Sequence, residues 1–268
     1  MNLACEGISV RFGRANPVLG HPEPVSLELA EKDFTAIIGP NGSGKSTLLR
    51  TLSRLQKPTT GTVLLGGSSL SKIKPKEIAR KLALVPQSPP VPHDMTVTDL
   101  VAHGRHPHRG VSEHLLGRDR EIVENAINRC DLKAFAERRI ATLSGGERQR
   151  AWIAAALAQE PRVLLLDEPT SALDIRHQLE VMDLLRSLNE HDHITIGIVV
   201  HDINLAARVC SRVVALKSGQ IVADGTPEAV ITPDLLRLVF NVETEISPDP
   251  VMGTPTCRFL SPIACAVE

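Results

Sequence analysis

Phe34-Thr35-Ala36-Ile37-Ile38, Gly39-Pro40-Asn41-Gly42-Ser43-Gly44-Lys45-Ser46-Thr47 and Leu48-Leu49-Arg50-Thr51-Leu52 follow one another without interruption. The first is a short continuous apolar run, the pattern of a strand buried on both faces. The last continues a helix from Ser46 that must end before Pro58. Between them the loop fits G-x-x-x-x-G-K-[ST] in the strand–loop–helix setting that makes the motif meaningful. Its glycines let successive backbone N–H groups converge on phosphate oxygens, and the helix N-terminus adds partial positive charge. Lys45 is expected to reach the β- and γ-phosphates and the Ser46 hydroxyl to ligate Mg²⁺.

Val163-Leu164-Leu165-Leu166 is a second apolar strand, and it delivers Asp167 and Glu168 at its C-terminal end. Open α/β sheets bind ligands at that end. Asp167 is therefore expected to hold Mg²⁺ through water and Glu168 to polarise an attacking water. Two acids after a strand would by themselves be ordinary solvated loop residues; the phosphate loop gives them a partner.

The rest of the chain fits an α/β core. Alternating segments at Ile8–Phe12 and Val25–Leu29, and the returns at Val63–Leu65, Ile194–Val200, Val213–Leu216 and Ile221–Ala223, read as strands, with Ser218-Gly219 as a hairpin turn. Pro89, Pro90 and Pro92 open a stretch, about 88–160, with helical patterns at Arg118–Cys130 and Glu147–Gln159. Thr226-Pro227 and Thr232-Pro233 each read as an N-cap with Pro at the first helical position. The divisions expected are a main domain over 1–240, with a helical subdomain inserted in its middle, and a Pro- and Thr-rich tail of low regularity over 241–268.

Composition narrows the classes. The 268 residues carry 30 Lys+Arg against 31 Asp+Glu, so no excess of positive charge marks a nucleic-acid footprint, and no nucleic-acid partner is expected. At 42% hydrophobic the chain can fill a core, and with 2% aromatics that core must be Leu, Val, Ile and Ala. The longest apolar stretches fall far short of the roughly 18–20 residues a membrane helix needs. The start, Met1 to Glu6, lacks the basic-then-apolar pattern of a secretory leader. Cys5, Cys130, Cys210, Cys257 and Cys265 are scattered without C-x-x-C spacing, as in a reduced chain with buried thiols.

Leu143-Ser144-Gly145-Gly146-Glu147-Arg148-Gln149 begins as a capping box, Ser144 with Glu147 three residues on. Two glycines in a first helical turn cost roughly 1 kcal/mol each against Ala, an expense that makes sense if the backbone must lie against an anion. With this segment the sequence resembles the nucleotide-binding subunits of ABC transporters. The stretch Leu143–Gln149 resembles the family's signature motif, Gln87 after Leu82–Pro86 its Q-loop, Ser171–Asp174 its D-loop and His201 its switch histidine. Phe12 stands where the family places an aromatic that stacks on adenine.

The resemblance implies a RecA-like P-loop core with an N-terminal antiparallel β subdomain and an inserted helical subdomain. It implies an ATPase using ATP and Mg²⁺, working as a homodimer in which Ser144, Gly145, Gly146 and Asp174 of one copy reach the nucleotide held by the other. His201 would orient γ-phosphate and water, and Gln87 would link the Mg²⁺ site to a membrane permease served by an external binding protein. That places the chain peripherally at the cytoplasmic face of the cell membrane. Within the family, Gly104–His108, Arg148–Ala154, Leu173–Gln178 and Asp249–Pro255 most resemble ATPases of ferric-siderophore importers, the ferric enterobactin type in particular. Haem and cobalamin importers share parts of these signals, and soluble ABC ATPases of iron–sulfur cluster assembly share the SGGE core. The histidines at 103, 106, 108 and 114 sit among Gly and Pro without a completing Cys or carboxylate, as in a contact loop rather than a metal set.

Overall fold

The computed structural model describes residues 1–13, 17–91, 93–109 and 117–263. Along the chain run β1 (Leu3–Ser9), β2 (Val25–Leu29), β3 (Phe34–Ile38), α1 (Lys45–Leu52), β4 (Thr60–Leu65), β5 (Ser68–Ser69), α2 (Pro75–Ala79) and β6 (Leu82–Val85). Three helices follow, α3 (Val97–His103), α4 (Gly117–Arg129) and α5 (Gly145–Leu157). The chain then returns through β7 (Val163–Asp167), α6 (Ile175–Asp192), β8 (Thr195–Val199), α7 (Ile203–Val209), β9 (Arg212–Lys217) and β10 (Gln220–Gly225). It ends with α8 (Pro227–Val230), α9 (Pro233–Phe240), β11 (Val242–Pro248) and β12 (Pro255–Pro262).

The central sheet has the order β10-β9-β3-β8-β7-β6, parallel from β9 to β6 with β10 antiparallel at one edge. A separate antiparallel sheet runs β2-β1-β4-β5. The period of two along the parallel strands sorts side chains between two cores. Ile37, Leu165, Val214 and Leu216 pack with Leu48, Leu49 and Leu52 of α1 beneath the antiparallel sheet. Ala36, Ile38, Leu164, Leu166, Ile196 and Ile198 pack on the opposite side with helices α3 to α7. Both cores are mainly aliphatic, as composition required, with Phe34 in the helical one, and the α/β fold with an N-terminal antiparallel sheet and a helical part is borne out.

Two readings need correction. The first strand is Leu3–Ser9 rather than Ile8–Phe12. A bulge around Gly7, which has φ 56°, breaks the inward alternation between Cys5 and Ile8 and hides the strand from a period-two search. The tail is also not irregular: β11 and β12 pair antiparallel from Val242↔Pro262 to Pro248↔Pro255. Its prolines stand at the strand ends, where no ladder hydrogen bond is lost, and Asp249 Oδ1 closes the turn by accepting from the N–H groups of Val251 and Met252, both at 2.8 Å. Helices α4 and α5 lie within two residues of their sequence-based positions. Cys5, Cys130, Cys210 and Cys257 are buried free thiols, and burial pushes the Cys5 and Cys130 thiols up to about 12. Cys265 and His114 lie outside the described residues.

Candidate nucleotide-binding and hydrolytic site

β3 carries the chain to the C-terminal edge of the sheet, where the loop turns back on itself before α1. Gly39 has φ 150°, and a Cβ there would stand 2.2 Å from the Leu216 carbonyl oxygen and 2.9 Å from Ser43 Oγ. Gly42 and Gly44 also have positive φ, 78° and 101°. Gly44 N-caps α1 without a side-chain bond, so the N–H groups of the first turn remain available to an anion. Lys45 is 5% exposed and donates from Nζ to the carbonyls of Gly39 at 2.8 Å and Pro40 at 2.9 Å. The buried Ser43 hydroxyl has no partner. These groups border a cavity of about 160 Å³ lined by Val18, Asn41, Gly42, Gly44, Lys45, Ser46, Thr47 and Glu168.

Val18 is a lining residue that the sequence did not signal. It is brought there by the Ser218-Gly219 turn between β9 and β10: Gly219 donates to Ser43 O at 3.0 Å and accepts from Gly20 N at 2.8 Å. A Cβ on Gly219 would stand 2.6 Å from Val18 O. Phe12, by contrast, is 48% exposed on the turn after β1 and outside the residues lining the cavity.

β7 brings the two acids to the same edge. Asp167 is 4% exposed and accepts from Ser46 Oγ at 3.0 Å. Glu168 sits in the left-handed region at φ 51°. Its Oε2 accepts from Gln87 Nε2 at 2.6 Å and its Oε1 meets His201 Nε2 at 2.7 Å. Thus Gln87 from the end of β6, Glu168 from β7 and His201 from the end of β8 converge on one carboxylate. Burial raises the Asp167 pKa, against the Ser46 hydrogen bond that favours the anion; burial lowers that of Lys45, against the attraction of Glu168 and Asp167. Ser46 and Asp167 offer adjacent hard oxygens of the kind Mg²⁺ selects, so the donor set fits that ion. Gln87 reaches Glu168 rather than the Ser46–Asp167 pair.

The second cluster lies at the start of α5. Ser144 Oγ accepts from Glu147 N at 3.3 Å, and Glu147 Oε2 accepts from Ser144 N at 2.7 Å, the reciprocal box expected from sequence. A Cβ on Gly145 would make only ordinary contacts, with Ala172 O and Leu173 Cδ2 at 3.6 Å. A Cβ on Gly146 would stand 2.4 Å from His177 Cδ2, so that glycine already has a steric cause inside the chain. His177 is fixed by Asp174, whose Oδ1 accepts from His177 N at 2.9 Å and meets its Nδ1 at 2.7 Å. These hydrogen bonds hold the Asp174 carboxyl below the usual range. Ser144, Gly145, Gly146 and Asp174 are not among the residues lining the phosphate-loop cavity of their own chain. His103 Nδ1 and His108 Nε2 are engaged with the carbonyls of Asp99 and Gln159, both at 2.8 Å.

The family model described as ABC transporter matches residues 22–171. The chain belongs to the ABC transporter family. Membership makes it an ATP-binding cassette with ATPase activity. It is 48% identical to the petrobactin import ATP-binding protein FpuD of Bacillus anthracis over 88% of this chain and 86% of that protein. It is 46% identical to the ferric enterobactin transport ATP-binding protein FepC of Escherichia coli over 87% and 86% of the respective chains. Among solved structures, a dimeric bacterial ABC transporter cassette superposes with a TM-score of 0.73 at 31% identity, covering 84% of this chain and 98% of that one. The resemblance to siderophore-importer ATPases read from the sequence is thus borne out in its relatives. No helix among the described residues is long and apolar enough to cross a membrane.

Proposed function

We propose that this ABC ATPase drives uptake of a ferric siderophore through separate permease subunits. Two copies of the chain would enclose two ATP molecules at the cytoplasmic face of the membrane. The observation that carries the hydrolytic reading is Glu168, held between Gln87 and His201 beside the phosphate-loop cavity. The backbone N–H groups of the Gly39–Thr47 loop, other than at Pro40, and the Lys45 ammonium bind the phosphates, and Phe12 stacks on the adenine. Ser46 and Asp167 (through water) would hold Mg²⁺, with Gln87 joining them on release from Glu168, and the ion would neutralise charge on the phosphates. Glu168 takes the proton of the attacking water as its oxygen bonds to the γ-phosphorus and the bond to the bridging oxygen breaks. His201 orients that water and the γ-phosphate. Ser144, Gly145, Gly146 and Asp174 act on the nucleotide of the second copy, which fits their position away from the cavity of their own chain.

The siderophore assignment is supported by relatives named for petrobactin import and ferric enterobactin transport. An external binding protein would deliver the ligand to the permease. The test replaces Glu168 by Gln, which keeps a hydrogen-bonding side chain but removes the base. ATP binding is expected to persist while turnover falls by at least about a hundredfold, and cells carrying only this variant should lose uptake of radiolabelled ferric siderophore. Wild-type hydrolysis by Glu168→Gln refutes the assigned base. Normal uptake with hydrolysis abolished refutes the importer.

A further inference from the structure

Beyond the site, one side chain ties the residues after His201 to the far end of the chain. α7 begins two residues beyond His201, and its N-cap, Asp202, accepts from Leu205 N at 3.0 Å. On the inner side of α7, Ile203, Leu205, Ala206 and Ala207 pack into the core. On its other side Asn204 meets β12: Nδ2 donates to Cys257 O at 3.1 Å, and Cys257 N donates to Asn204 Oδ1 at 2.7 Å. The amide engages both polar groups of one backbone residue, as a neighbouring strand would. Cys257, 3% exposed, belongs to the same core cluster as Ile203, Leu205 and Ala206. The β11–β12 hairpin is therefore docked on α7 by apolar packing and by a two-point hydrogen bond at Asn204.

His201 itself has little to hold it. Its side chain is 43% exposed and its contact with Glu168 is made by one ring nitrogen at 2.7 Å. Its backbone is anchored before by β8, which pairs with β3 and β7, and by Val200 N donating to Ile37 O at 3.3 Å. After it comes α7. A short helix braced from both sides fixes the backbone of the residue leading into it; with one side released, His201 can shift relative to Glu168.

We propose that Asn204 is a positioning residue for His201, and that the C-terminal hairpin braces the histidine through it. The inference rests on His201 serving hydrolysis. The side-chain hydrogen bonds of Asn204 go to Cys257 and it lies outside the residues lining the phosphate-loop cavity, so its loss acts on the chemical step rather than on ATP binding. A displacement of about an ångström far from the reacting atoms can cost up to about a hundredfold in rate.

The test uses the full chain with Asn204→Ala and Asn204→Asp, each in the wild-type and His201→Ala backgrounds. Asp keeps the acceptor for Cys257 N–H and loses the donor, and its near-identical shape guards against a folding defect. Expected are a kcat reduced about ten- to a hundredfold by Asn204→Ala, a smaller loss for Asn204→Asp, and a KM for ATP changed less than about twofold. In the His201→Ala background neither substitution should lower kcat further. The His201 imidazole resonances in the NMR spectrum, which report the bond to Glu168, should shift in Asn204→Ala. An unchanged kcat, or an equal loss with and without His201, overturns the brace, as does an unmoved imidazole signal. If the wild-type chain fails to hydrolyse ATP, the functional reading falls, and the imidazole signal alone decides whether Asn204 positions the histidine.

Discussion

Gly146→Ala adds one methyl group at a place where the structure leaves no room for it. The new Cβ would lie 2.4, 2.6 and 2.9 Å from Cδ2, Cγ and Cβ of His177. Because His177 Cβ is itself one of the obstructing atoms, rotating the ring does not clear the clash. The ring is also pinned by Asp174 at 2.7 Å. Forcing a methyl into such a contact costs about 1–3 kcal/mol. Against this, Ala in a helix is favoured over Gly by about 1 kcal/mol. The net expected effect is a loss of up to about 2 kcal/mol with His177 present. In a His177→Ala background the same substitution should stabilise by up to about 1 kcal/mol, since the obstacle is gone.

The assay is urea unfolding of the four proteins of this cycle, without nucleotide. The coupling energy should be about 1–3 kcal/mol, and for a chain of this size each kcal/mol corresponds to about 2–4 °C in Tm. Additive effects, within about 0.5 kcal/mol, would refute the steric account and return Gly146 to a role set only by the nucleotide. ATP hydrolysis by the double variant is a separate readout. If the Gly146 backbone also meets the nucleotide of the second copy, stability returns in the double variant while activity does not.

Gly39→Ala should be worse than Gly146→Ala, because the obstacle is the backbone carbonyl of Leu216 at 2.2 Å and φ is 150°. A loss of at least about 3 kcal/mol is expected, and a urea midpoint within experimental error of wild type would refute it. Asp167→Asn gives a test of charge burial. The folded state raises the Asp167 pKa, chiefly by burial, so the protonated form contributes stability that is present below the ordinary unfolded value of about 3.9 and lost as pH rises through the folded pKa. At neutral pH the ionised group is a net cost, and Asp167→Asn should raise the Tm of the nucleotide-free protein. The gain should fade as pH falls through the folded pKa. A Tm lowered at neutral pH would show that the carboxylate is stabilised there by its neighbours.

The parts of the site legible in the sequence were those in which chemistry dictates residue type at fixed spacing. The loop from Gly39 to Thr47 and the acids after β7 are of this kind, because a backbone wrapped on phosphate needs glycine and a metal needs oxygen at a strand end. Strands buried on both faces, such as Phe34–Ile38, declared themselves by unbroken apolarity. What escaped was set by contacts distant along the chain. Gly7 interrupts β1 with a bulge, so the pairing with β4, rather than periodicity, defines that strand. The β11–β12 hairpin leaves Val251, Met252, Phe259 and Leu260 exposed and is held by Asn204 and the core around Cys257. The steric demand of His177 on Gly146 could not be read either, since it depends on how α6 crosses the start of α5.

Several costs to the folded chain meet at the phosphate loop and the acids after β7. Lys45 and Asp167 both have their charged forms penalised by burial. Ser43 holds a buried hydroxyl without a partner, and Glu168 occupies a backbone region that costs a non-glycine residue about 1–3 kcal/mol. The Lys45 bonds to Gly39 O and Pro40 O and the Ser46 bond to Asp167 offset only part of this, since burial remains the largest influence on both charges: an apolar side chain at 45 or 167 and an alanine at 43 would relieve most of it. A polyanion would reverse these terms, accepting from the Ser43 hydroxyl and the Lys45 ammonium, and a divalent cation on Ser46 and Asp167 would favour the carboxylate. The left-handed turn at Glu168 is not relieved in this way, and it is what turns the side chain toward Gln87 and His201. The strain that binding can remove therefore lies on the binding residues, and the strain it leaves in place lies on the residue assigned to the chemistry.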